Sequence, residues 1–295
     1  MTAAPWQSMV EQSLGVEHAQ WAGVGHSGWG RGYSLRADSA RYFVKSASGR
    51  YGSTLEAEAD GLVALGSTKA IRVPTVVARL ASSDTSILVL EWLDIGAARD
   101  DAAFGRALAA LHRSTPLRGP GGERYGWTRD NWIGGTPQHN QWTDDWCVFF
   151  REQRLAPQLT LAGRHGAGGR IARDGDHLLV KLPTLLRNHG PEPSLLHGDL
   201  WAGNAAALAG GEPVVFDPAV YAGDREADIA MTELFGGFGP DFYAAYNDAW
   251  PLERDYEIRR EVYNLYHVLN HLNLFGGGYR QQAEGIVARL LAIAG

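Results

Sequence analysis

The chain has 295 residues, 45% of them hydrophobic, enough to bury a large core and to divide between two lobes. Against 27 basic residues stand 33 acidic ones, net −6, and only Lys45, Lys69 and Lys181 are lysines; such a surface argues against nucleic acid or an anionic membrane as partner. The single cysteine, Cys147, excludes an internal disulfide and a cysteine-based zinc cluster, and is expected as a buried apolar residue in a helix. Residues 1–6 lack a basic stretch leading into an apolar one, and no apolar run is long enough to span a bilayer, so a soluble cytoplasmic protein is expected.

Residues 6–18 carry helical periodicity and predict an opening helix. Trp21 to Gly25, the glycine-rich stretch from Ser27 to Gly32, and Tyr33 to Ala37 read as strand, turn and strand. Arg41 to Lys45 is β-rich and ends on a lysine, which predicts a three-stranded antiparallel meander. A helix is predicted over Thr54 to Leu65, then strands over Val76 to Leu80 and Ile87 to Trp92. Leu93 to Gly96 reads as a linker, with a lobe boundary expected near residue 94. Beyond it helices are predicted from Asp101 to His112, Trp142 to Leu161 (with Thr143-Asp144-Asp145 as the cap signal), Leu178 to His189, Asp228 to Phe235, Glu253 to Leu274 and Gln281 to Ala294. The expected fold is α+β and two-lobed: a small antiparallel β-rich lobe at 1–94 and a larger, mainly helical lobe at 95–295.

The chemistry concentrates in Leu195-Leu196-His197-Gly198-Asp199-Leu200-Trp201-Ala202-Gly203-Asn204, followed by Pro213-Val214-Val215-Phe216-Asp217-Pro218. Two apolar strands are expected to bring both acids and the carboxamide to one end of neighbouring strands. The spacing of His197, Asp199 and Asn204 is that of the kinase catalytic loop H-x-D-x-x-x-x-N, with Asp217 at the place of the later metal-binding acid. Phosphoryl transfer needs an acid to accept a hydroxyl proton, oxygen ligands for Mg²⁺, a cation on the phosphates and a cover over them. Asp199 is the candidate base, and Asn204 and Asp217 are the candidate metal ligands. His197 is expected to buttress the loop. Lys45 and Glu58 form the expected pair on the ATP α/β-phosphates; Glu56 competes with Glu58 but lies about 200° around the helix from it. Gly28 and Gly30 are the candidate phosphate cover, and the backbone of Glu91 and Leu93 the candidate adenine contact. A turn explains any one Asp or Asn in a glycine-containing loop; four such residues at these offsets do not reduce to turns. Metallophosphoesterases also use GD and GN motifs, but need a histidine after the GN asparagine, where this chain has Ala205.

The run Phe216-Asp217-Pro218-Ala219-Val220-Tyr221-Ala222-Gly223-Asp224-Arg225-Glu226-Ala227-Asp228-Ile229-Ala230-Met231 resembles the fructosamine kinase (ketosamine-3-kinase) family, a branch of the aminoglycoside-phosphotransferase-like kinases. The resemblance extends to His197–Asn204, to Gly126-Trp127 with Asn131–Gln138, to Trp142–Trp146 and to Phe149–Leu155, nearly the whole chain. It implies ATP- and Mg²⁺-dependent phosphorylation of a sugar hydroxyl on a free or protein-bound ketoamine (a fructosamine or ribulosamine), after which the adduct falls off and the amine is deglycated. It implies further that Asp228 ties the catalytic loop together, and that Trp201 and Tyr221 wall the sugar pocket or simply pack. A monomer or weak homodimer is expected. Where many relatives have a G-G-x-I-N or cysteine-containing turn, this chain has Ser27–Arg31, so thiol control through that turn is not expected. Two other readings of the residues are a same-fold kinase for an aminoglycoside, choline or amino sugar, and a catalytically inactive nucleotide-binding protein.

Overall fold

A computed structural model describes residues 4–27, 30–37, 40–96, 98–114, 117–166 and 169–295. Helix α1 (Pro5–Leu14) precedes strands β1 (Gln20–Ser27), β2 (Gly30–Ala37) and β3 (Ala40–Ser48); then come α2 (Gly52–Ser67), β4 (Val76–Ser82) and β5 (Thr85–Glu91). The five strands form one antiparallel sheet in the order β1-β2-β3-β5-β4. Helix α1 is shorter than its periodicity suggests because Gly15 turns left-handed and caps it.

The sheet is sandwiched between α1 and α2, and β5 shows how the sequence achieves this. Its residues Ile87-Leu88-Val89-Leu90 are apolar without alternation because both faces are covered. Ile87 and Val89 join Val10, Leu35 and Val44 beneath α1, while Leu88 and Leu90 join the main core with Leu55, Ala59 and Leu62 of α2. The same period of two puts Phe43 and Lys45 of β3 on the side opposite Val44, towards the cleft.

After β5 the chain runs along the cleft and is tied to the second lobe by backbone bonds, Ala209 N–H to Asp94 O (3.0 Å) and Gly96 N–H to Ala207 O (3.2 Å). Helix α3 (Asp101–Arg113) starts where the Asp100 carboxylate accepts the Ala103 N–H at 2.8 Å. A short hairpin follows, β6 (Asn131–Ile133) and β7 (Thr136–Gln138). The helix expected over 142–161 begins later, as α4 (Trp146–Phe149) capped by Asp145; it widens to an i→i+5 turn at Phe150–Leu155 and continues as α5 (Ala156–Arg164). Cys147 is half-buried in α4, and burial pushes its thiol up to about 11, away from reactive thiolate chemistry.

Helix α6 (Arg170–Leu185) starts eight residues earlier than predicted. Next come β8 (Pro193–Leu196), β9 (Ala205–Ala207), β10 (Pro213–Val215), β11 (Tyr221–Asp224), and helices α7 (Glu226–Leu234), α8 (Pro240–Ala249), α9 (Tyr256–Phe275) and α10 (Tyr279–Ala294). One expectation is corrected here. The two apolar strands around the catalytic loop do not pair with each other: β8 pairs with β11, and β10 with β9. Among the described residues no helix is long and apolar enough to cross a membrane.

A buried ionic cluster closes the helical lobe behind the site. Asp224 accepts from His189 Nε2 (2.6 Å), Tyr263 Oη and the Glu226 N–H (3.0 Å), while Glu253 lies 3.1 Å from His189 Nδ1, and Glu226 pairs with Arg259. Burial alone would lower the His189 pKa, but the hydrogen bond and charge of Asp224 raise it; burial would raise Asp224, but His189 and Tyr263 lower it. His189 therefore contributes stability that is complete below its unfolded pKa and is lost as pH rises through the folded one. The Asp224 contribution is present above its unfolded pKa and disappears only in acid. The melting-temperature loss in His189→Asn is expected to be larger at about pH 6 than at about pH 9. Equal losses in differential scanning calorimetry at both pH values would show that His189 is uncharged.

Candidate active site

Lys45 is buried at the inner face of β3. Its Nζ donates to Glu58 Oε1 at 2.6 Å and to Asp217 Oδ1, so one cation joins the sheet, helix α2 and the segment after β10. Burial would lower the lysine pKa; the two carboxylates overcome it and hold the ammonium charged. Glu56 faces solvent instead, 3.5 Å from Arg129, as the helical angle between it and Glu58 requires.

The catalytic loop leaves β8 at His197, whose ring is wholly buried. Its Nε2–H donates to the Phe216 carbonyl (3.0 Å), and its Nδ1 accepts the Asp199 N–H (3.3 Å). That pair of bonds fixes a neutral tautomer, and burial lowers its pKa in the same sense. Gly198 has φ +80°, and a Cβ there would lie 2.0 Å from the Ala219 carbonyl oxygen, so no other residue fits this turn. Beneath it Asp228, on α7, accepts the N–H groups of His197 (2.7 Å) and Gly198 (2.9 Å) and lies 3.2 Å from His112 Nε2. Burial would raise the Asp228 carboxyl, but these donors hold it below its ordinary range.

Asp199 is half-buried. Burial and the charge of Asp217 push its carboxyl up to about 7, against the opposing pull of the Asn204 amide. Asn204 Nδ2 donates to the Asp199 carbonyl (2.9 Å) and to its Oδ2 (3.3 Å). With the amide nitrogen so engaged, Asn204 Oδ1 is left without a hydrogen-bond donor among the described residues. Asp217 sits at φ +57°, a left-handed conformation that aspartate tolerates better than most residues. A free carboxamide oxygen and a carboxylate beside a second acid are hard oxygen donors and suit Mg²⁺.

Between the lobes lies a cavity of about 750 Å³, walled by Val24, Phe43, Leu90, Leu93 and Phe216, with Lys45 and Asp217 at its inner end. The Glu91 side chain turns away from it to Arg72 and the Thr75 N–H (3.1 Å), so any contact from this residue to a base is through backbone. Gly30 packs across β3, where a Cβ would meet the Ser46 carbonyl oxygen at 2.3 Å. Gly28 lies outside the described residues. The apolar walls Phe43 and Phe216 carry no chemical signature in the sequence, though Phe43 lies two residues before Lys45 and so shares its face.

Trp201 is 41% exposed on the loop between Asp199 and Asn204, its ring lying over Gly203. Tyr221 takes the packing alternative: it is 3% exposed, stacked on Phe149 (5.7 Å) and covered by the Arg154 guanidinium at 4.0 Å.

A β-rich lobe with a buried Lys–Glu pair, facing a helical lobe with a catalytic loop and a second acid across a nucleotide-sized cleft, defines an ATP-dependent phosphotransferase of the two-lobed kinase fold. An aminoglycoside phosphotransferase crystallised with AMP-PNP and hygromycin B shares this fold, with a TM-score of 0.69 at 14% identity over 99% of this chain and 98% of that one. The family model described as fructosamine kinase matches residues 2–293, and the chain belongs to that family. A Synechocystis sp. protein described as a probable ketoamine kinase is 44% identical over 297 residues, 98% of each chain. A chloroplastic protein-ribulosamine 3-kinase of Arabidopsis thaliana is 41% identical over 254 residues, covering 85% of this chain and 76% of that one. The crystal structure of a candidate fructosamine-3-kinase from Thermobifida fusca matches with a TM-score of 0.84 and 31% identity over 97% of this chain and 98% of that one. By this membership the chain is an ATP-dependent ketoamine kinase with a sugar hydroxyl as acceptor.

Proposed function

We propose that Asp199 is the base of this kinase and that the chain uses Mg·ATP to phosphorylate fructosamine or ribulosamine adducts, including those on proteins. The observation that carries the reading is the joining of Asp199 to Asn204 within one loop, next to the Lys45–Asp217–Glu58 cluster. Lys45 holds the α/β-phosphates, oriented by Glu58, and the walls of the cleft take the adenine, with backbone contacts at Glu91 and Leu93 and the Gly30 strand end above. Asn204 and Asp217 hold Mg²⁺, which when bound supplies positive charge to the transferring phosphoryl group. Asp199 orients the sugar hydroxyl; as the oxygen–phosphorus bond forms and the bond to ADP breaks, the hydroxyl proton passes to its carboxylate. His197, neutral and fully hydrogen-bonded, keeps Asp199 in place, and Asp228 fixes the loop amides from below.

Trp201, exposed on the loop that carries Asp199, offers an aromatic face to the sugar, and that exposure suits an adduct still attached to a protein amine. Residues 1–94 serve as the nucleotide lobe and 95–295 as the catalytic and acceptor lobe, in a cytoplasmic enzyme whose phosphorylated product releases the amine. The test is a turnover screen of ribulosyl-lysine, fructosyl-lysine, a glycated protein and an aminoglycoside. Preferred turnover of a ketoamine is expected, about ten-fold or more above the aminoglycoside in kcat/KM. Preference for the aminoglycoside, or Mg-ATP binding with transfer to none of these, would overturn it.

A further inference from the structure

Two buried carboxamides reach the chain just behind Asp217, and the mechanism above does not use them. Gln138, at the end of β7, is 1% exposed and donates through Nε2 to the Ala219 carbonyl at 3.0 Å. Asn131, at the start of β6, is 3% exposed and donates through Nδ2 to the Val220 carbonyl at 2.7 Å. Ala219 also donates its N–H to the His197 carbonyl at 2.8 Å, so the segment after the metal-binding acid is gripped from the catalytic loop and from the hairpin.

The carboxamides are themselves locked. Gln138 Oε1 accepts the Tyr266 hydroxyl (2.7 Å), and Asn131 Oδ1 accepts from Gln138 Nε2 (2.8 Å) and Asn140 Nδ2 (2.9 Å). Asn140 Oδ1 in turn accepts Arg154 Nη2 at 2.8 Å, from a guanidinium that is fully buried. Each group's orientation is dictated by the next, so neither amide can flip without leaving a buried group unpaired. The other side of the hairpin rests on the first lobe: Trp132 lies 6.2 Å from the Tyr51 ring, and Arg129 pairs with Asp60 on α2 at 3.0 Å. Gly61, one turn beyond Glu58, sits in close contact with the same segment: a Cβ there would lie 3.0 Å from Pro218 Cγ and 3.2 Å from a Val220 methyl and would press on both. Thus α2 bears down on the very residues that Gln138 and Asn131 hold from the other side.

We propose that Gln138 and Asn131 are positioning residues for the metal-binding acid: through Ala219 and Val220 they hold Asp217 in its left-handed conformation, aimed at the cation, and register the β6–β7 hairpin against α2. A residue at positive φ stays there only when its surroundings over-determine it, and two carbonyl clamps within three residues do so. The inference rests on Asp217 being a metal ligand as proposed above. It predicts a defect in metal binding rather than in metal-free nucleotide binding, because Lys45 keeps its pairing with Glu58 and the apolar cleft walls are unchanged.

The experiment is calorimetric titration of AMP-PNP, without acceptor, in the presence and absence of Mg²⁺. Wild type is expected to bind about ten-fold tighter with Mg²⁺, and Asp217→Asn to lose that gain. Gln138→Met, similar in size but without the amide, is expected to keep the metal-free affinity within about two-fold and retain at most about three-fold of the Mg²⁺ gain. Tyr266→Phe removes only the hydroxyl that orients Gln138 and is expected to show a smaller loss in the same direction; it decides the matter if Gln138→Met does not fold. A full Mg²⁺ gain in Gln138→Met or, failing that, in Tyr266→Phe would overturn the positioning role while Asp217→Asn still lost it. Equal weakening with and without metal would overturn it as well. No Mg²⁺ gain in wild type, with Asp217→Asn indistinguishable from it, would remove the metal reading and this inference together.

Discussion

Asp199→Asn is expected to lower kcat by about 10³-fold, within the usual range for losing a positioned general base, while Mg·ATP affinity stays within about two-fold. Asparagine has the same shape, and its amide oxygen can still accept from Asn204 Nδ2, so the loop keeps its geometry. What disappears is the group able to take the hydroxyl proton. The nucleotide contacts run through Lys45, Asp217 and the cleft walls, which the substitution leaves alone. Stability offers an independent check, because burial and the charge of Asp217 already disfavour the ionised Asp199 carboxyl. Neutralising it should leave the melting temperature level or raise it. Single-turnover kinetics with a ketoamine, alongside thermal shift with Mg·AMP-PNP, measure both; retained turnover at unchanged affinity would refute Asp199 as base.

The spacing of His197, Asp199, Asn204 and Asp217 was legible because phosphoryl transfer constrains residue type and offset at once, and because Lys45 has almost no competing lysines. The sheet was legible for a related reason: turns rich in glycine and small polar residues separate short runs rich in β-branched, aromatic and other apolar residues. Strand partners were not. Leu195-Leu196 and Val214-Val215 are both short apolar runs, and nothing local to either distinguishes a partnership with each other from the observed pairings with β11 and β9. The hairpin at 131–138 escaped notice as a structure because its strands are only three residues long and bury Asn131, Thr136 and Gln138 beside the single apolar Ile133. Asn131 and Gln138 are buried by hydrogen bonds to a segment more than eighty residues away, which periodicity cannot register. Tyr221 shows a choice that the sequence leaves open: beside Asp217 it could wall the pocket or pack, and every residue of β11 is buried, with Tyr221 in the core.

Arg259→Met is expected to cost about 3–5 kcal/mol of stability, the usual penalty for breaking one side of a buried ion pair. Arg259 grips both oxygens of Glu226 through Nε and Nη2 (2.8 Å for the latter), and the two side chains are 5% and 1% exposed. Its Nη1 also donates to the Arg254 carbonyl at 2.8 Å, so the guanidinium joins α7, the start of α9 and the turn between α8 and α9. Burial and the nearby Asp224 already raise the Glu226 carboxyl despite Arg259. Without the guanidinium nothing offsets them, and the folded-state pKa must climb further above its unfolded value. A raised carboxyl pKa means stability that is intact below the unfolded pKa and lost as pH rises through the folded one. The variant should therefore lose much more stability at about pH 8 than at about pH 5. Adding Glu226→Leu should recover most of the loss, because the cost lies in the stranded carboxylate rather than in the absence of a favourable pair. Urea denaturation of the two variants across that pH range distinguishes the cases. If the double variant is as unstable as Arg259→Met, the damage comes from lost packing around the arginine stem. If it recovers and still turns over ketoamine, this cluster braces the helix that carries Asp228 and has no part in the chemistry above it.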